Sequence, residues 1–190
     1  MINLKSMSTR FLVTNTVRRV ITILGCLLFV FSFIYPFYYV SWTGIGGGTL
    51  THYWSYEYDY HYHVGLGGSG SSHQWFFDYW FTPNLSVGAR IPWTLVSLFT
   101  VQVLTLAFGV VFLFSNKRIL SFEPIMFNIA VLVLMTYTGG ILSGHVSVYS
   151  NQFQLGYYLV YPSVAMFVSA FAINEVVKKR HTPYPVEETI

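Results

Sequence analysis

Two histidines, His61 and His63, stand two residues apart in a stretch that also carries Glu57 and Asp59 at the same parity. Side chains of an extended chain leave alternate faces, so these four share one face of a strand. The glycine-serine run Gly65-Leu66-Gly67-Gly68-Ser69-Gly70-Ser71-Ser72 supplies turn chemistry, and a turn that set residue 73 opposite residue 63 would add His73 to the group. Imidazoles with a neighbouring carboxylate are ligands for zinc or copper. His61, His63 and His73 are therefore the candidate metal ligands, and Zn or Cu the candidate cofactor; the competing reading is the solvated polar face of a strand. His52 and His145 are lone residues and read as structural. The single cysteine, Cys26, excludes an internal disulfide framework and a four-cysteine metal site.

The other parity of the same stretch is aromatic. Trp54, Tyr56, Tyr58, Tyr60, Tyr62 and Val64 point one way from a strand expected between Leu50 and Leu66. A second aromatic strand is expected over His73–Phe81, with Trp75 and Trp80, ended by Thr82-Pro83-Asn84. A hairpin alone is marginal in water. Its aromatic face must therefore be covered by helices, by further strands from residues 41–50 and 84–90, or by another protein. Tyr and Trp dominate interface hot spots, which makes Trp54, Tyr56, Tyr58, Tyr60, Tyr62, Trp75 and Trp80 the candidate interaction residues. Stacking of the same rings on carbohydrate or lipid headgroups is a third use.

The elements that position this segment are apolar helices. Of the 190 residues, 54% are hydrophobic and only 9% charged, against about a quarter charged in soluble domains. That composition argues against a soluble enzyme and against a free nucleic-acid binder. About 20 mostly apolar residues cross a bilayer core, and four stretches qualify: 20–40, 93–114, 125–142 and 157–177. The first is too long for a signal peptide and has no small-x-small site after it, so it reads as a retained anchor. The remaining segments are an N-terminal stretch 1–19, a long loop 41–92, a connection 115–124, a short loop 143–156 and a tail 178–190.

Nine of the ten cations (Lys5, Arg10, Arg18, Arg19, Lys117, Arg118, Lys178, Lys179 and Arg180) fall on one side if both termini are cytoplasmic, leaving only Arg90 outside. The Trp residues, and every Tyr except Tyr184, gather at the opposite ends of the spans. The expected fold class is thus an all-α membrane bundle of four transmembrane helices with a small antiparallel β-sheet in the long first outer loop. The expected location is the plasma membrane, multi-pass, with both termini cytoplasmic.

Within the spans, Ser121 is the expected N-cap of the third helix, with Glu123 and Pro124 in its first turn. Pro162 interrupts the fourth helix and frees the carbonyl of Tyr158; Ser163 and Ser169 are expected at helix contacts. Gly140 and Gly144 form a small-xxx-small pair for helix packing, within the bundle or against a partner. The polar residues expected at mid-span (Thr22, Ser32, Thr100, Gln102, Thr105, Asn128, Thr136) are uncharged, unlike the ionisable groups that proton and ion pathways keep inside a membrane. No phosphate loop, nucleophile elbow or zinc-protease helix motif occurs.

This layout resembles the claudin and PMP22 group of four-span proteins. Arg90 before the second span, and Leu155-Gly156-Tyr157-Tyr158-Leu159 opening the fourth, look like features of that group. The group's tryptophan-cysteine signature in the first loop is absent here. The resemblance therefore implies fold and topology and carries no functional residue. The function expected from the sequence is a non-catalytic membrane protein, an accessory subunit of a larger membrane complex. Its partners are membrane lipid and other membrane subunits or a second copy, not nucleic acid. The alternatives are a metal-handling or redox-complex subunit using the outer histidines, and a claudin-like adhesion protein.

Overall fold

The computed structural model describes residues 4–44, 47–64, 68–75, 90–115, 117–144 and 150–179. They form helix α1 (Leu4–Ile34), strands β1 (Tyr38–Gly44), β2 (Gly47–Tyr53), β3 (Glu57–Val64) and β4 (Gly68–Trp75), helix α2 (Arg90–Phe114), helix α3 (Arg118–Gly144), strand β5 (Ser150–Phe153) and helix α4 (Leu155–Lys179). All four helices contain a segment long and apolar enough to cross a membrane: Val13–Ile34, Thr94–Phe114, Arg118–Leu142 and Leu155–Val176. Large apolar side chains such as Leu27, Val103, Val133 and Val168 stand exposed on the bundle's outside. In a lipid surround that exposure would carry no hydrophobic cost.

Two boundaries differ from the sequence expectation. The first helix ends at Ile34, and Tyr38–Val40 already belong to β1. The last part of the expected 20–40 span is therefore strand, and α1 instead extends back through Arg18 and Arg19. Pro36 explains the stop, because it has no N–H to continue a helix. The third helix begins at Arg118, so Ser121 is not its N-cap. Ser121 is buried in the first turn and donates its hydroxyl back to the Arg118 carbonyl at 2.7 Å.

Packing joins α1 to α4 and α2, and α3 to α2 and α4, closing a ring of antiparallel neighbours. Ser163 on α4 donates to the Gly25 carbonyl of α1 (3.0 Å) and accepts from the Asn128 amide of α3 (3.3 Å), so one hydroxyl ties three helices together. Ser169 bonds only within its own helix, to Ala165. Gly25 and Gly109 permit close approach, since a Cβ on either would press on Met166 or on Cys26 and Phe167.

The sheet is antiparallel with order β4-β3-β2-β1-β5. Its fifth strand comes from the short 143–156 segment, where none was expected, and pairs Tyr38 with Phe153 and Ser41 with Ser150. The expected single strand Leu50–Leu66 is broken by a turn at Trp54–Tyr56, closed by Trp54 N–H donating to the Glu57 carbonyl at 2.9 Å. The β1/β2 half of the sheet sits on the helix ends: Tyr38, Val40 and Thr51 are buried.

Two glycines of α3 separate bundle packing from surface. A Cβ on Gly139 would touch the Tyr38 and Phe153 rings at 3.0 Å, whereas one on Gly140 would meet open space. The close approach thus runs through Gly139 to the sheet and not through the expected Gly140. Gly144 closes the helix. Gly139→Ala is expected to lower stability by about 1–2 kcal/mol through overpacking. Gly140→Ala is expected to be neutral or slightly stabilising, since Ala is the better helix former. Paired thermal unfolding of the two variants in one detergent checks the contrast.

Candidate functional site

The outer half of the sheet gathers the titratable residues. β3 and β4 pair so that Val64 faces Gly68, His63 faces Ser69, His61 faces Ser71 and Asp59 faces His73. The connection from Val64 to Gly68 is shorter than a 63-to-73 register needs, so His73 lies opposite Asp59 and not His63. The glycine-serine run is mostly strand instead of turn. Gly70 serves there because the Tyr62 ring occupies the space a Cβ would fill.

Register also places His52 opposite Asp59, so His52, Asp59 and His73 form one cross-strand row. His73 Nε2 meets Glu57 Oε2 at 3.0 Å, and its Nδ1 meets Asp59 Oδ1. Both ring nitrogens thus face carboxylate groups, an arrangement that favours the protonated form of the ring. The hydrogen bond to Asp59 raises the His73 pKa above 6.5, outweighing the opposing effect of burial, with the charges of Glu57 and Asp59 adding in the same direction. Burial raises the Glu57 carboxyl above 4.5 despite the facing imidazolium. His52 moves the other way: burial lowers its pKa, aided by His61 and opposed by Asp59.

This arrangement is a charged clamp. A nitrogen that donates to a carboxylate has no lone pair to give a metal. Among the described residues, no group of three or more His, Cys, Asp or Glu side chains is arranged to hold one. His61 and His63 are exposed and face serines across the strand pair. The three candidate ligands therefore do not converge.

The clamp makes the β3–β4 pair pH-sensitive. A raised His73 pKa stabilises the folded pair fully below 6.5 and loses that contribution as pH rises through the folded value. Raised Glu57 acts with the same sign from 4.5 upward. Amide-exchange protection factors of β3 and β4, corrected for intrinsic rates, are expected to fall as pH rises above 6.5. In His73→Gln that fall is expected to flatten.

The aromatic candidates divide. Trp54 donates its indole N–H to the Ile34 carbonyl at 2.8 Å, capping the end of α1. Tyr56 stacks on Phe33 with centroids 5.1 Å apart. Phe33 meets Phe99 of α2 at 5.6 Å, and Trp75 meets Tyr56 at 5.9 Å and the His73 ring edge-on at 5.3 Å. Trp54 and Tyr56 are thus anchors of sheet to bundle. Tyr62 (40% exposed) and Trp75 (49%) present surface. Tyr58 and Tyr60 lie on β3, on the same parity as Tyr62. Trp80 and His145 lie outside the described residues.

Sequence reasoning missed one further site, at the opposite end of the bundle. Arg18, counted there as a flanking cation, is 2% exposed. Its guanidinium donates to the Phe112 and Ser115 carbonyls at 3.1 and 2.9 Å and lies 5.0 Å over the Phe112 ring. A cation there closes the carbonyl end of α2. The available signal was its helical spacing from Thr22, Gly25 and Phe29, which with it form the buried stripe of α1.

No protein-family model and no curated protein matches the chain.

Proposed function

We propose that this chain is a non-catalytic integral membrane protein, both termini cytoplasmic, in the plasma membrane, and that it acts as an accessory subunit by presenting the β3–β4 half of its sheet to a partner. The observation that carries the reading is the contrast within one sheet. β1 and β2 rest on the helix ends, while His61, Tyr62, His63, Val64, Ser71, Ser72 and Trp75 stand exposed on an overhang whose last strand, β4, is an edge among the described residues. An edge strand of glycine and serine offers unpaired backbone groups without bulky side chains in the way. Exposed Tyr and Trp beside it add contact area at low entropic cost. Cation placement and the tyrosine distribution support the orientation.

A photo-crosslinking residue at Tyr62 in native membranes is expected to yield one discrete adduct, and the same residue at exposed Val103 none. A lone monomer after mild extraction, with no adduct from Tyr62, would overturn the proposal. A second reading is the claudin-like one, adhesion between apposed membranes, for which the sheet formed from both outer segments would be the contacting surface. Vesicle clustering by the purified protein distinguishes it: clustering with a Tyr62 adduct of self-dimer mass favours adhesion, and a heterologous adduct without clustering favours the subunit role.

A further inference from the structure

The strands carry the histidines His52, His61, His63 and His73, the carboxylates Glu57 and Asp59, and no lysine or arginine. Both carboxylates meet the His73 ring. His61 and His63 are left without a counter-charge of their own among the described residues. Across β2, His61 faces Leu50 and His63 faces Gly48, with His52 the diagonal neighbour of His61. Across β4 they face Ser71 and Ser69, with His73 diagonal to His61. Along β3 the nearest charge is Asp59, already engaged by His73.

Register sets the two serines in line with the two histidines. Directly opposed residues share one face of a sheet, so one row runs from His61 to Ser71 and the next from His63 to Ser69, both ending at the β4 edge. A strand added along β4 would put two of its residues, i and i+2, at the ends of these rows. It would lie two strand spacings, roughly 9.5 Å, from β3. Ser69 and Ser71 are exposed and short, so the space above them is open. A glutamate reaching inward and a histidine reaching outward meet across that gap. Residue i+1 of the added strand points to the other face, where Tyr62 stands opposite Gly70.

We propose that the partner segment is an extended polypeptide carrying glutamates two residues apart, which adds to β4 and pairs its carboxylates with His61 and His63. The inference rests on the edge-strand reading above and adds to it the partner's chemistry and a direction of pH dependence. An ordinary imidazole gains its proton below about 6.5, while glutamate keeps its charge down to about 4.3. The contact therefore tightens as pH falls between those values.

The purified full chain in phosphatidylcholine nanodiscs is titrated with three fluorescent ten-residue peptides, read by anisotropy at about pH 7.5 and 5.5, either side of the ordinary imidazole value. One alternates threonine and glutamate, the second has glutamine for glutamate, and the third has the same composition as the first with its glutamates in adjacent pairs. The alternating peptide is expected to bind about fivefold tighter at the lower pH, the equivalent of two exposed ion pairs. Neither control is expected to show that gain. His61→Gln combined with His63→Gln is expected to remove the gain and keep the binding seen at the higher pH. Ser71→Phe, which fills the space between the rows, is expected to reduce it. No binding of the alternating peptide in acid, an equal gain for all three peptides, or a gain that survives both histidine substitutions would each overturn the inference. So would acid-dependent capture of phosphatidylserine vesicles without preference among the peptides. The Tyr62 adduct in native membranes keeps the two readings apart. Its absence at both pH values overturns the edge-strand reading itself, whereas an adduct indifferent to pH and to the paired histidine substitutions overturns this inference alone.

Discussion

Gly156→Val is expected to prevent the chain from reaching its folded state. Gly156 sits at the start of α4, where its N–H donates to the Pro36 carbonyl at 3.0 Å. A Cβ there would run into the Tyr35 carbonyl and approach those of Pro36 and Ser32 at 2.8 and 2.9 Å. All three are backbone atoms at the end of α1, so no side-chain rotation relieves the clash. Moving them would also disturb Trp54, which is bonded to the Ile34 carbonyl beside them. Overpacking at a flexible site costs about 1–3 kcal/mol, and at this rigid one even Gly156→Ala is expected to exceed roughly 3 kcal/mol. Fluorescence-detected size exclusion of tagged variants is the check. A monodisperse peak for Gly156→Val at wild-type yield would show that the α1–α4 junction is looser than described.

Arg18→Ala carries the second large effect. It removes two charge-assisted hydrogen bonds to the Phe112 and Ser115 carbonyls, a bond to Asn15 and the contact with the Phe112 ring. Hydrogen bonds to charged groups contribute about 1.5–3 kcal/mol each, and bonds that share one side chain are not additive. The expected loss is about 3 kcal/mol in detergent unfolding. Arg18→Lys is expected to recover only part of it: Nη1 alone donates to both carbonyls, which an ammonium can also do, but the bond from Nε to Asn15 and the flat contact over the Phe112 ring are lost. Equal stability of the Lys variant and wild type would mean that charge alone, and not geometry, matters at this helix end.

How much of this was legible in the sequence follows from what each signal measures. Apolar length finds four helices, because a long helix with lipid-facing side chains has a composition no soluble segment shares. It misplaces their ends, since the run through Phe37, Tyr38, Tyr39 and Val40 is as apolar in a buried strand as in a span. Period-two alternation finds the outer sheet. It runs straight through the turn at Trp54–Tyr56, however, because that turn uses neither glycine nor proline and is held by a backbone hydrogen bond and by docking on Phe33. The glycine-serine run misleads in the opposite sense. It has turn composition, yet it pairs as β4, where small residues leave room for the Tyr62 ring. The clamp on His73 depends on that register and was beyond reach once 63 was set against 73. The short β5 carries no periodic signal over Ser150–Phe153 and is defined only by its pairing with β1.

That last strand has a consequence for biosynthesis. β1 emerges from the ribosome with the first hairpin, but its second neighbour is encoded far downstream, after α3. Until Ser150–Phe153 has been synthesised and docked, Tyr38–Ser41 lack their β5 partner. The Phe37 carbonyl that accepts from Gln154, and the Pro36 carbonyl that accepts from Gly156, also wait for the same late segment. Docking of the segment that carries β5 and α4 is therefore the step that completes the sheet and the α1–α4 junction, and a nascent chain stalled before it leaves β1 without that partner strand.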